Sequence, residues 1–395
     1  WLDWSSGVLV TNTGHGPAEI KAAIIEAAEK GVLFSYTFPT LARSLVAEKL
    51  IQMTPPNLDK VYLLSTGAEA IEAAIKASRG WGQTIAQDKV GIISFSGAFH
   101  GRTMGAQMVG GQPALKRWMP SLDPDIHIAP FPNCYLCPLG RDGYDGCEAE
   151  CFALIDKTLE EKGRTPAQIA SVMIETYQGS YAMFAPDGYI RLLDEWCRRH
   201  NVLLIFDEVQ AGFGRTGKLF SFEHYGVAPN LMTAGKSISG SLPVSAVLGE
   251  ARVMDLFGPG EMTSTHSANA VCMAATLANL KMFDEQDLVG NARRVGDHFK
   301  KRLLELKDKY PRVVGHVEGR GLMYGLYVVS AQGTKEPDGR LAAEIHKRCI
   351  QKGLMLCSPL GHGQAMLKIS PPLVISREAV DDGIAALDEA IAESA

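Results

Sequence analysis

Two short apolar runs constrain this chain more than any other feature. Val202-Leu203-Leu204-Ile205-Phe206 ends in Asp207-Glu208, and Leu231-Met232-Thr233-Ala234 ends in Gly235-Lys236. Runs of this length read as strands buried on both faces, as in a parallel sheet covered by helices. Further strand candidates fall at residues 60–64, 90–95, 171–175 and 244–249, interleaved with helical patterns at 68–80 and 187–201. Such alternation implies an α/β domain with a largely parallel sheet. In these sheets ligands gather beyond the carboxyl ends of the strands, where Asp207 and Lys236 both stand.

The ends of the chain read differently. A charged helix at 288–309, short strands around 321–328 and a closing helix at 377–393 suggest a smaller α+β domain. The first forty residues, with a helix at 17–31, are expected to join it. The expected division is 41–282 for the large domain, and 1–40 with 283–395 for the small one. There is no internal repeat, low-complexity tract or long linker. With 395 residues, 46% apolar and 21% charged, the chain can bury a large core. A net charge of -5 offers no basic stripe for nucleic acid. No apolar run is long enough to span a bilayer, and no signal peptide is visible. A cytoplasmic location is the expectation, for a chain that opens on Trp1-Leu2-Asp3-Trp4.

A lysine and a carboxylate at neighbouring strand ends suit one particular chemistry. The lysine can form a Schiff base with an aldehyde cofactor, and the acid can hold a pyridinium proton, as pyridoxal phosphate requires. Ser65-Thr66-Gly67-Ala68-Glu69 follows a strand and opens a helix, so its backbone N–H groups and positive dipole end can cradle a phosphate. By itself such a segment is more often a plain helix N-cap. Phe99, in Phe99-His100-Gly101-Arg102-Thr103, can lie flat on a pyridine ring or simply close the core. Arg102 can grip a carboxylate with two parallel hydrogen bonds, or form a surface ion pair. Arg215, within Gly212-Phe213-Gly214-Arg215-Thr216-Gly217, reads as a structural tether rather than a ligand contact.

Together these segments resemble the class III aminotransferases, pyridoxal-phosphate enzymes of fold type I. The resemblance runs from Leu2 to the C-terminus. Besides those already quoted, it is carried by Gly14-His15-Gly16-Pro17, Asp207-Glu208-Val209-Gln210, Gly319-Arg320-Gly321 and Ser370-Pro371-Pro372-Leu373. It implies a seven-stranded, mostly parallel sheet and a homodimer or larger homo-oligomer. It also implies roles by position. Lys236 would carry pyridoxal 5'-phosphate and shuttle the proton, and Asp207 would pair with the pyridine nitrogen. Gln210 would bond the phenolic oxygen, Phe99 would stack on the ring, and Thr66, Gly67 and Ala68 would hold the phosphate. Thr265 would reach the phosphate of the neighbouring subunit. The implied reaction moves an amino group from an amine, ω-amino acid or amino acid to a 2-oxo acid through a pyridoxamine form. Racemisation or epimerisation, decarboxylating transamination and elimination use the same lysine and acid.

Departures from the family bear on substrate. Many members have an arginine for the substrate carboxylate where Lys368 stands, and lysine gives a point charge instead of a fork. Members related to the 4-aminobutyrate and ornithine enzymes have a glutamate where Ser180 follows Gln178-Gly179. The chain also looks close to 2,2-dialkylglycine decarboxylase, but Val8 stands where that enzyme has a glutamine that helps expel carboxylate. Arg102 is the expected anchor for an acidic substrate group, with little or no help from Lys368.

One cluster lies apart. Cys134, Cys137, Cys147 and Cys151 fall in a Pro/Gly-rich insertion. Their spacing is compatible with zinc, but the expectation is free thiols in a surface loop and no metal.

Overall fold

The computed structural model describes residues 1–395. Its centre is a seven-stranded sheet of β2 (Lys60–Leu64), β3 (Gly91–Phe95), β4 (Ile126–Ala129), β5 (Ile169–Glu175), β6 (Leu203–Asp207), β7 (Leu231–Ala234) and β8 (Ser245–Gly249). The spatial order is β2-β8-β7-β6-β5-β3-β4. Only β8 runs against its neighbours. A two-stranded pair joins β1 (Leu2–Asp3) to β11 (Leu354–Met355). A three-stranded antiparallel sheet holds β9 (Val314–Arg320), β10 (Met323–Val328) and β12 (Met366–Ile369) in the order β12-β10-β9.

The central strands are buried from end to end because both faces are covered. In β6, Leu203 and Ile205 point into one apolar cluster, while Leu204 and Phe206 point into the other. The first cluster is closed by the helix Gly67–Gln83, which lays Ala70, Ile71, Ala74, Ala77 and Trp81 on the sheet. Its start is fixed by a capping box. Thr66 Oγ1 accepts from Glu69 N–H, and the Glu69 carboxylate accepts from the Ser65 and Thr66 N–H groups.

A third cluster lies around the smaller sheet. Trp4 packs on Phe299 with ring centroids 4.6 Å apart, among residues of the helices Leu288–Lys309 and Arg377–Ser394. The strand at 126–129 escaped the sequence reading: Ile126-His127-Ile128-Ala129 is short, lies at the sheet edge and has a polar interruption. Likewise the reading around 321–328 resolves into β9 and β10, which meet at Gly321-Leu322.

Candidate active site

Strand register assembles the site. Glu175, at the end of β5, pairs with Asp207 at the end of β6, and Asp207 pairs with Thr233 on β7. Three successive parallel strands thus bring side chains at their carboxyl ends to one edge. Lys236 follows two residues beyond β7, with φ +46°. A left-handed backbone at a residue with a Cβ is unfavourable by about 1 kcal/mol. Packing supports it. Val209 wedges between two glycines: a Cβ on Gly67 would lie 2.8 Å from Val209 Cγ1, and one on Gly235 would lie 3.2 Å from it. Val209 therefore locks the Lys236 turn against the start of the helix Gly67–Gln83.

Gly67, Ala68, Phe99, His100, Gly101, Asp207, Val209, Gln210 and Lys236 surround a cavity of about 250 Å³. Six of the expected residues are thus brought together: Gly67, Ala68, Phe99, Asp207, Gln210 and Lys236. Thr66 adjoins them as the N-cap, and its hydroxyl keeps a proton to donate. Arg102 is exposed, with its guanidinium carbon 5.7 Å from the centre of the Phe99 ring. Ser180, Lys368, Val8 and Thr265 do not line the cavity. Ser180 Oγ accepts from Gln112 Nε2 at 2.6 Å. Val8 is 58% exposed with φ +63°, and Thr265 is exposed. Lys368 is buried and donates to the Gly179 carbonyl at 3.0 Å and to Gln210 Oε1 at 2.6 Å.

Sequence reasoning missed two residues that shape this centre. His100 Nδ1 lies 2.7 Å from Asp207 Oδ2, and Ser94 Oγ lies 3.3 Å from His100 Nε2. Glu175 accepts from the Phe99 and Gly179 N–H groups, each at 3.0 Å. Asp207 Oδ1 accepts from Val209 N–H at 2.9 Å and from Thr233 Oγ1 at 3.2 Å. Burial opposes protonation of His100, but the hydrogen bond and charge of Asp207, with Glu175, outweigh it and raise the imidazole above its usual value. Burial pushes the Glu175 carboxyl up to about 7, against the pull of His100 and its two backbone donors. Burial also lowers the Lys236 amine, partly offset by the charges of Asp207 and Glu175.

Arg215 is the tether the sequence suggested. Fully buried, it donates to the Leu322 and Pro371 carbonyls, Ser6 Oγ and Asn12 Oδ1. It thereby pins a left-handed turn at Ser6–Leu9 whose N–H groups are also capped by Asp3. The four clustered cysteines ring a separate crevice as free thiols. Burial pushes Cys134 up to about 11 and Cys151 up to about 12.

The arrangement offers unmet donors for a phosphate and for a ring oxygen. The N–H groups of Gly67 and Ala68 open a helix and have no acceptor in the chain. Gln210 Oε1 is taken by Lys368, which leaves its Nε2 free at the cavity. These groups, with a strand-end carboxylate and a lysine, fit pyridoxal phosphate.

Comparison with known proteins agrees. The model of the family "Aminotransferase class-III" matches residues 1–391. The chain belongs to the class-III aminotransferases. Its cofactor is pyridoxal 5'-phosphate, its fold is fold type I, and its activity is that of an aminotransferase. It is 33% identical over 401 residues to the 4-aminobutyrate aminotransferase GabT of Escherichia coli K12, covering 100% of this chain and 90% of that protein. It is 34% identical over 396 residues to the leucine/methionine racemase of Thermococcus litoralis, covering 100% of this chain and 87% of that one. A solved amine transaminase from an uncultivated Pseudomonas species, in the PLP-bound form, superposes with a TM-score of 0.92 at 29% identity, covering 100% of this chain and 90% of that one.

Proposed function

We propose that this aminotransferase takes its amino group from a primary amine or ω-amino acid and passes it to a 2-oxo acid, with Arg102 anchoring the acidic partner. The observation that carries the reading is the juxtaposition of Lys236, the His100–Asp207 pair and the unmet donors around one cavity. Lys236 is the attachment point for the cofactor aldehyde. Asp207 would pair with the ring nitrogen, Gln210 Nε2 would donate to the phenolic oxygen, and Phe99 would cover the ring. The Thr66 hydroxyl and the Gly67 and Ala68 N–H groups hold the phosphate. When bound, pyridoxal phosphate supplies an electron sink for charge left at the substrate Cα. The Lys236 amine, when not bonded to the cofactor, would be the base that holds the proton taken from the substrate Cα. Its depressed basicity suits that task at neutral pH.

Arg102 has no salt-bridge partner among the acidic side chains and sits beside Phe99, which lines the cavity; this supports its role as a carboxylate anchor. A homodimer is supported by a row of exposed apolar side chains: Val32, Leu33, Phe34, Phe38 and Leu41. This row adjoins the loop of Thr265. Asn269 Nδ2 donates to the Leu33 carbonyl, and Tyr36 Oη lies 2.8 Å from Thr263 Oγ1. We therefore place Thr265 in the partner's phosphate site. The same reading divides the chain at 41–282 against 1–40 and 283–395 and places it in the cytoplasm. No helix is long and apolar enough to cross a membrane.

A second reading, racemisation or epimerisation of an amino acid, is favoured by the identity to the racemase of Thermococcus litoralis. One experiment separates the two. The cofactor-loaded protein is mixed with single amines and amino acids, without acceptor, and followed by absorbance and chiral chromatography. Transamination bleaches the cofactor band and releases a carbonyl product. Racemisation scrambles chirality with the band retained. No response to any of the amines contradicts both readings.

A further inference from the structure

Lys368 occupies a place from which a lysine can orient Gln210. It lies on β12, opposite Gly325 of β10, in the smaller sheet. Its side chain crosses to the large sheet, where Gly179 and Gln210 follow β5 and β6. The ammonium is buried, donates to Gln210 Oε1 at 2.6 Å and to the Gly179 carbonyl at 3.0 Å, and sits 5.7 Å from the centre of the Tyr177 ring. Gly179 closes the other side: a Cβ there would overlap the Gln210 carboxamide. A carboxamide is nearly symmetric in shape, and its two ends are distinguished only by what they bond. A cationic donor on one end forces that end to be the oxygen.

We propose that Lys368 is a positioning residue: it fixes the Gln210 carboxamide with oxygen inward and N–H toward the cavity, and sets a buried positive charge behind it. This rests on the reading of Gln210 as the partner of the cofactor's phenolic oxygen. It differs from the family pattern, in which the residue at this place binds the substrate carboxylate, because the Lys368 ammonium already has two acceptors and does not line the cavity. Burial drives the Lys368 amine down to about 8; Cys357 and Glu175 raise it, while Lys236 and Arg215 lower it further. Lys368 reaches the cavity through Gln210, whose other side-chain atoms share that cavity with Lys236. A charge at Lys368 therefore disfavours a second charge at the Lys236 nitrogen and favours an anionic phenolic oxygen.

The test uses the holoenzyme without substrate. The visible absorption of the bound cofactor is titrated with pH in the wild type, Lys368→Met and Lys368→Arg. Lys368→Met is expected to raise the spectroscopic pKa by about one unit, the effect of losing one charged hydrogen bond. Lys368→Arg, which keeps the charge and the donors, is expected to recover at least half of that shift. The same Lys368→Met variant should lose kcat/KM by similar factors for amines with and without a carboxylate. An unchanged spectroscopic pKa, with KM raised only for carboxylate-bearing substrates, overturns the proposal and returns Lys368 to the substrate. If Lys368→Met fails to fold, Lys368→Arg and Lys368→Gln supply the comparison: the neutral donor should shift the pKa upward more than the cation. If the wild type mixed with the cofactor shows no Schiff-base absorption at all, the reading of Lys236 fails first, and is recognised by that result.

Discussion

His100 Nδ1 stands 2.7 Å from Asp207 Oδ2 in an environment where both side chains are buried. The two residues come from the loop after β3 and the end of β6, strands separated by β5. The pair holds Asp207 in one rotamer, with its other oxygen occupied by Val209 N–H and Thr233 Oγ1. Asp207 is thus oriented by three donors before any ligand arrives. Replacing His100 by Ala strips one of them from a buried carboxylate, a change worth about 1–3 kcal/mol. The expected outcome is a lower thermal midpoint and a kcat reduced by about tenfold or more. Differential scanning calorimetry and steady-state rates on the purified variant check both.

Glu175 predicts a pH dependence of stability. Its folded value, about 7, lies above the ordinary 4.5 of a glutamate because of burial. The folded state therefore holds this proton more tightly than the unfolded state does. Its contribution to stability is full below about 4.5 and declines as pH rises toward 7. His100, also raised, acts with the same sign: its contribution is present below the unfolded value and is lost as pH rises through the folded one. Denaturant unfolding across pH 4.5 to 8 should show Glu175→Gln with a flatter profile than the wild type over the acidic half.

The proposed phosphate cradle has no room for a side chain at Gly67. An alanine there would bring its Cβ to 2.8 Å from Val209 Cγ1. Overpacking of this kind costs about 1–3 kcal/mol. Gly67→Ala is expected to weaken cofactor retention at least tenfold, while Gly67→Ala combined with Val209→Ala recovers part of it. Equilibrium dialysis of cofactor against each apo-protein provides the measurement.

Arg102 lies exposed beside Phe99 with no acidic partner. Losing a charge-assisted contact to a carboxylate costs about 1.5–3 kcal/mol. Arg102→Ala should therefore raise KM for the acidic partner about tenfold or more and leave KM for an uncharged amine nearly unchanged. Equal losses for both, or none, argue against an anchor at this position.

Much of this was written in local sequence. The apolar runs of β6 and β7 announce buried strands because both faces of a central strand are covered, and each ends on a residue that chemistry needs. The Thr66–Glu69 cap is a four-residue signal. His100 was not legible as the partner of Asp207, because nothing local says which of many distant side chains a lone histidine will meet. The resemblance put Lys368 at the place of a substrate-carboxylate arginine with little or no part expected of it, whereas its bonds to Gly179 and Gln210 depend on how two sheets pack. The left-handed turn at Ser6–Leu9 was also invisible: Asp3 caps it locally, but Arg215 and the Ser370 carbonyl hold it from remote positions. The exposure of Thr265 and of the apolar row near Phe34 depends on how the chain folds, which the local pattern does not supply.

The central claim is that Lys236, not another buried lysine, carries the cofactor. Lys368 is the natural competitor, since it too is buried and its amine is lowered to about 8. The direct measurement is borohydride reduction of the holoenzyme, followed by proteolysis and mass spectrometry of the labelled peptide. A pyridoxyl label on Lys236, absent in Lys236→Ala, is the expected result. A label on Lys368, or a label that survives Lys236→Ala, would contradict it.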